Sequence, residues 1–409
     1  MTTMVALLMG MGVLFGVMAI GVDVGNLLWE RRQLQNAADA AALSLAVECG
    51  KGAASCAYVD GDDTEAYADR NSQDGQTEVV SACQVNIGGS LPVCPAPVTS
   101  LTECPPLPGT LASMTGLPYV EVRTESLKPS GGGVANWFAG ISGGSDSAET
   151  TVNACSRAAI GTASGGAAEL PLSFSGCDWE HATGGTAGGG GGSYYPSPVY
   201  NGSSPNGYGG AGQPAWPTAA AAPPAQIQGQ EVILLAQNPP GGATPATPCP
   251  TWNGHALPGG FGVLETEPSD ACKFVEYPHH WMHTSTGNNT ACNLSNFVGK
   301  AVSLPIFDCT NATAPGVGPP VNGCTTGAGN NAYYHRAGFA QFYLSGYNLN
   351  VTGSFDNWKP SLVSGNRPCN GADRCISGWF LSGELSATAI SGPPVGSGFF
   401  GSYAVVPAG

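Results

Sequence analysis

The chain opens on a stretch without a single charge. From Met4 to Val22 every position is uncharged, most are apolar, and the first acid is Asp23. Nineteen such residues are enough to cross a hydrocarbon core of about 30 Å. The polar run Glu30-Arg31-Arg32-Gln33-Leu34-Gln35-Asn36 comes soon after, then Ala37-Ala38-Asp39-Ala40-Ala41-Ala42. No proline occurs before Pro92, so nothing forces the helix to stop at a membrane surface. The pattern predicts one transmembrane and stalk helix over residues 1–48, roughly 70 Å long at about 1.5 Å per residue. The alternatives are a buried helix of a soluble protein and a cleaved secretory signal. The first conflicts with the missing polar face. The second conflicts with the length of the apolar run and with the lack of an A-x-A-like site before the helix continues.

Within that helix, Gly12 with Gly16 and Gly21 with Gly25 have G-x-x-x-G spacing. In lipid, such notches let a second helix approach closely. Leu34, Ala38, Ala41 and Leu45 form an apolar stripe at helical spacing. A face that small and flat predicts tight packing, on another helix or on the protein's own domain. The expected partners are therefore membrane lipid and other helices, in a homo- or hetero-oligomer.

Farther along, the period shortens. Residues 64–71 read as a short helix, 79–87 and 119–124 as strands, 134–141 as a short helix, and 149–160 as a strand with Val152, Ala154 and Ser156 on one face. These make a small α+β module over 49–160. Residues 161–169 read as a linker. Residues 170–409 read as a second region, interrupted by a flexible Gly/Pro-rich insertion over 182–226 that contains Gly188 to Gly192. From Glu231 onward the pattern is β: 232–236, 262–265, 300–308 with Pro305 marking an edge or bend, 333–351 and 376–390. The predicted class is α+β, ending in a β-rich barrel or sandwich.

Charge and cysteine content set the compartment. Charged residues are 10% of the 409, and the formal net charge is −15. With no basic patch to neutralise phosphates, nucleic-acid binding is excluded. All 14 cysteines follow the apolar stretch. Cys49, Cys56, Cys83, Cys94, Cys104 and Cys155 lie in the first half; Cys177, Cys249, Cys272, Cys292, Cys309, Cys324, Cys369 and Cys375 lie in the second. Even, dispersed cysteines behind a membrane signal read as disulfides in an oxidising space. Cys49–Cys56 and Cys369–Cys375 are plausible local pairs; the remaining connectivity stays open. Arg31-Arg32, on the C-terminal side of the span, would keep that side cytoplasmic, whereas the cysteines place it outside. A basic leader upstream of Met1 would reconcile the two.

Candidate chemistry is sparse. His279, His280 and His283 could hold a transition metal only if their loop curled, and packing in a surface loop is the simpler expectation. Asp60, Asp62, Asp63 and Glu65 lack EF-hand spacing and suit the N-terminus of the following helix. There is no G-x-S-x-G and no nucleophile–base pair. Neither a catalytic residue, a cofactor nor a metal is expected. Sequons begin at Asn201, Asn288, Asn293, Asn311 and Asn350.

Asp23-Val-Gly followed by Arg31-Arg32-Gln33-Leu34-Gln35-Asn36-Ala37-Ala38-Asp39-Ala40-Ala41-Ala42 resembles the N-terminal segment of the TadE/TadG-like family of tight-adherence (Flp) pilus-assembly proteins, over residues 4–48. Leu170-Pro-Leu with Cys177 and Trp179, Leu257-Pro-Gly-Gly-Phe-Gly, Leu304-Pro-Ile-Phe-Asp, the run from Ala337 to Tyr347, and Cys375-Ile-Ser-Gly-Trp-Phe are loosely similar to larger TadG-like proteins of Gram-positive envelopes. The resemblance implies a single-pass envelope protein of pilus biogenesis, or a pilin-like subunit displayed in an extracellular filament and acting in assembly or adhesion. Filament-forming pilins carry a Glu near the start of the mature helix, where this chain has Val5. The alternative function is a membrane-anchored secreted enzyme or carbohydrate-binding adhesin, with Tyr194, Tyr195, Trp216, Trp252 and Trp281 as its platform.

Overall fold

We describe the protein from a computed structural model. The structure describes residues 2–50, 56–58, 63–73, 77–95, 104, 106–126, 134–135, 149–165, 170–183, 231–236, 249–252, 255–285, 289–313, 316, 324, 332–351, 353–381, 383–385, 389–390 and 400–409. For residues 2–17, 19, 20, 134–135, 149–150, 164–165, 181, 183, 249–252 and 255–256 it describes the backbone alone. The chain divides into two compact units. One comprises Met1–Ile160 with Val405–Gly409, and the other Gly161–Ala404.

The first unit is a helix laid on an antiparallel sheet. A single helix, α1, runs from Thr2 to Gly50. A shorter helix, α2 (Asp63–Asn71), precedes three strands, β1 (Thr77–Val85), β2 (Tyr119–Ser126) and β3 (Asn153–Gly161). They pair antiparallel in the order β1–β2–β3, with a register shift between Val79 and Ser81. The chain's last residues close this unit: Ala408 N donates to Arg157 O, and Arg157 N donates to Gly409 O. Strand alternation sorts β2 into two faces. Val120, Val122 and Thr124 are buried, and Thr124 Oγ1 donates to Leu34 O of α1 at 3.1 Å. Glu121 and Arg123 point to the opposite face.

On that opposite face Glu121, 3% exposed, accepts from two guanidiniums. Arg157 Nη2 donates to Oε2 at 2.7 Å, and Arg123 Nη2 donates to Oε1 at 2.9 Å. Each carboxylate oxygen is thus satisfied by a charged donor, which is what allows a carboxylate to lie inside the unit.

In the second unit, β4 (Leu172–Ser175) leads into helix α3 (Gly176–Thr183). The strands that follow are β5 (Val232–Leu235), β6 (Phe261–Val263), β7 (Glu276–Tyr277), β8 (Trp281–His283), β9 (Ala301–Asn311), β10 (Tyr333–Asn348), β11 (Trp358–Lys359) and β12 (Cys375–Leu381). Pairing runs β6–β4–β9–β10, and β12 joins β10 to β5. A bridge between Ala236 and Phe261 links the β5 and β6 ends of that path. Six strands therefore curl around a common core, to which four of them contribute Phe174, Phe261, Phe342 and Phe380. Their ring centroids lie 5.1 to 6.1 Å apart in the contacting pairs, within the favourable range for aromatic pairs. Gly378 of β12 is required by this closeness. A Cβ there would overlap the Tyr343 carbonyl oxygen and meet the Phe342 ring at 2.7 Å.

Several expectations change. Val134–Ala135 is a short strand paired with Glu149–Thr150 rather than the start of a helix, because the backbone finds a cross-strand partner. The rest of that expected helix, 136–141, lies outside the described residues. Ala163–Gly165, within the stretch read as linker, pairs with Ala389–Ile390. Pro305 lies inside β9, a central strand and not an edge. Its missing N–H is tolerated because the parallel pairing with β4 begins only at Ile306, and Pro305 O accepts from Ser173 Oγ at 3.1 Å. Not every pairing in this unit is antiparallel: β4–β9 is parallel. The 182–226 insertion falls largely outside the described residues.

Candidate functional site

The site the sequence points to is α1, and its exposure changes along one helix. Met18, Val22, Val24, Leu28 and Trp29 are 47 to 58% exposed. From Glu30 onward a buried face begins: Gln33, Leu34, Ala37, Ala38, Ala41, Ala42, Leu45, Ala46 and Cys49 are all under 9% exposed. That face lies against α2 and β2. Leu34 and Ala38 pack with Ala154, and Val152 lies beside them. The stripe read from the sequence as Leu34, Ala38, Ala41 and Leu45 is thus turned onto the protein's own domain. Alanines let the helix axis sit close to the sheet, and burying Leu34 and Leu45 contributes about 2 kcal/mol each.

Polar side chains that the hydrophobic pattern did not single out hold this docking in register. Gln33 Oε1 accepts from Gln73 N at 2.6 Å, and Gln35 Nε2 donates to Cys155 O at 3.0 Å and to Asp39 Oδ1 at 2.9 Å. Their signal is faint in the sequence: two glutamines flanking Leu34 on the side where the helix meets the sheet. At the helix end, Cys49 is bonded to Cys56.

The glycine notches lie N-terminal to this docked face. A Cβ built on Gly21 or Gly25 would meet nothing within 4 Å. Gly12 and Gly16 are in the helix, but their surroundings lie outside the described side chains. Among the described residues, no helix is long and apolar enough to cross a membrane.

Residues 1–47 match the family model described as "Putative Flp pilus-assembly TadE/G-like". This TadE/G-like segment covers 47 of 409 residues. It contains both the exposed apolar positions Met18, Val22, Val24, Leu28 and Trp29 and the alanine face up to Ala46. The match supports a role in pilus assembly, and with it association with the cell envelope. No curated protein and no solved structure matches the chain.

Disulfides occur in both units. Cys83–Cys94 and Cys104–Cys155 join Cys49–Cys56 in the first unit. Cys272–Cys292, Cys309–Cys324 and Cys369–Cys375 lie in the second. Cys177 is also disulfide-bonded, and the side chain of Cys249 lies outside the described residues.

Three histidines, two in the β7–β8 hairpin and one in β10, each lie beside a carboxylate. His280 Nδ1 lies 2.6 Å from Glu276, His283 Nδ1 3.2 Å from Glu265, and His335 Nδ1 2.7 Å from Asp308. His279 and His280 are both left-handed at φ 60° and 61°. The metal-type groupings among the described residues are Cys83–Cys94–Glu121 and Cys104–Glu121–Cys155, whose sulfurs are in disulfides. Of the acids read as a helix cap, Asp60 and Asp62 lie outside the described residues, and Asp63 begins α2. Among the expected platform aromatics, Trp281 is 2% exposed. Tyr194, Tyr195 and Trp216, and the side chain of Trp252, lie outside the described residues.

One buried acid stands apart. Asp178, in the first turn of α3, accepts from Gly260 N. Burial pushes its carboxyl up to about 7, and that backbone hydrogen bond opposes the shift.

Proposed function

We propose that the protein is a non-enzymatic envelope component of a tight-adherence-type pilus system, with residues 4–22 embedded in the membrane or in a filament core. The region after Glu48 is displayed outside. Gly12, Gly16, Gly21 and Gly25 receive neighbouring helices, either of a second copy or of other pilin-like subunits. The observation that carries this reading is the change of exposure within α1. A helix that buries its alanine face on its own sheet yet leaves Met18, Val22, Leu28 and Trp29 in the open has an apolar half in need of a partner. The disulfides favour the outside placement, since such bonds persist in oxidising spaces.

A stronger form is that the chain polymerises, with apolar helices bundled as the filament axis. Immunogold electron microscopy of surface filaments, combined with alkaline-carbonate extraction of membranes, separates the forms. Label along filaments supports the subunit form. Label confined to carbonate-resistant membranes leaves the anchored assembly form and sinks the subunit form. Recovery in the carbonate-soluble fraction without filaments contradicts both.

A further inference from the structure

In the second unit, the segment 353–374 carries two exposed aromatic rings on a fixed loop. Phe355 is 42% and Trp358 41% exposed. The loop is pinned from several sides. Cys369–Cys375 closes it, and Asn348 Nδ2 donates to Asp373 O at 2.6 Å and to Asn370 O at 3.1 Å. Tyr347 OH donates to Asp356 O at 2.9 Å. Exposed aromatics on a rigid frame keep their apolar area in water at a cost that a bound partner removes.

The charges beside these rings point to the partner. The chain has 28 acids against 13 Lys and Arg, yet two guanidiniums sit here without a carboxylate. Arg367 lies over the Trp358 ring at 4.6 Å, and Arg374 donates to Asn350 Oδ1 at 2.8 Å. Among the described residues, neither has an acidic partner. Of the segment's own acids, Asp356 pairs with Lys359 at 2.7 Å, and Asp373 is withdrawn from the surface at 2% exposure. Gly371 lies close beside this guanidinium: a Cβ there would meet Arg367 Nη1 at 2.9 Å. The guanidinium lies beside an open ring with donors left to offer.

We propose that this loop binds an acidic polysaccharide. The C–H face of a pyranose ring stacks on the exposed Trp358 or Phe355. The sugar's carboxylate takes the forked donors of Arg367, a geometry that guanidinium and carboxylate share, and Arg374 adds a second cation. On a strongly acidic protein, this segment carries Lys359, Arg367 and Arg374 against Asp356 and Asp373, a local balance that favours an anionic chain. The proposal stands on this loop alone and does not depend on how α1 is used.

The test is affinity electrophoresis of the full chain in a non-ionic, sugar-free detergent, through gels containing polygalacturonate, alginate or neutral dextran. The proposal expects retardation in the two acidic gels only, weakened by added salt. Arg367→Gln and Trp358→Ala should each weaken it about tenfold or more, as expected for loss of a charge-assisted hydrogen bond or a stacking surface. Trp358→Phe and Arg367→Lys should retain part of it. Both positions are exposed, so thermal unfolding of all four variants should match the parent. Equal retardation in dextran, retardation unchanged by the variants, or none in either acidic gel overturns the proposal. So does variant-sensitive binding to phosphatidylglycerol vesicles without polysaccharide binding.

Discussion

Glu121→Gln removes the one carboxylate that two guanidiniums share inside the first unit. Arg157 is 7% exposed, and the Arg123 side chain is 29% exposed. At an effective dielectric of about 20, unit charges about 4 Å apart attract by about 4 kcal/mol, and desolvation offsets much of that. The variant keeps the shape but takes from the buried Arg157 cation the carboxylate oxygen to which both its Nε and its Nη2 donate, a loss of about 3–5 kcal/mol. For a unit of this size that corresponds to roughly 10 °C in Tm. Native-state hydrogen exchange of the β2 amides reads this unit on its own. Arg123→Gln should cost about 1 kcal/mol or less, because water screens the more exposed partner. Glu121→Leu combined with Arg157→Met should come within about 1 kcal/mol of the parent, since it deletes charge and counter-charge together. Protection of β2 in Glu121→Gln within about 1 kcal/mol of the parent would refute this reasoning.

Other outcomes follow from the same contacts. The folded-state pKa of Asp178 lies above its ordinary 3.8, so between about 4 and about 7 the folded chain holds the proton that the unfolded chain releases. Stability of the second unit should fall as pH rises through that window, by at most about 4 kcal/mol. Asp178→Asn should flatten this dependence and stabilise the unit at pH 8, as read by denaturant unfolding; an unchanged pH profile would count against the burial assigned to it. Gly378→Ala should destabilise the second unit by about 3 kcal/mol in the same assay, because the clash is with backbone that cannot swing aside. Ala41→Leu should cost about 1–3 kcal/mol in α1 protection, whereas Gly25→Ala, with open space at its Cβ, should not lower it.

Much of the architecture was legible because burial imposes a period. The stripe Leu34, Ala38, Ala41 and Leu45 repeats at helical spacing and is buried as one face. The alternation of Val152, Ala154 and Ser156 marked the β3 region, and Ala154 meets α1 there. The C-terminal strand Ser402–Pro407 was not foreseen; it is short and ends in proline. The Glu121–Arg157 pair was invisible because its partners are 36 residues apart, and only strand register brings them together. Trp358 lies between the segments that the pattern marks as strands, and nothing in the sequence around it tells an exposed tryptophan from a buried one. Which half of α1 the domain would cover was equally hidden, since leucine and alanine look alike whether they face a sheet, a lipid or a second helix.

The central claim is that the exposed half of α1 takes protein or lipid neighbours in the envelope while its alanine half stays on its own sheet. A photo-crosslinking residue placed in turn at Val22, Gly25 and Ala41 of the full chain, activated in intact cells, tests it most directly. The account predicts intermolecular or lipid adducts from positions 22 and 25, and only intramolecular products from position 41. Adducts to other molecules from position 41, with none from 22 and 25, would contradict it.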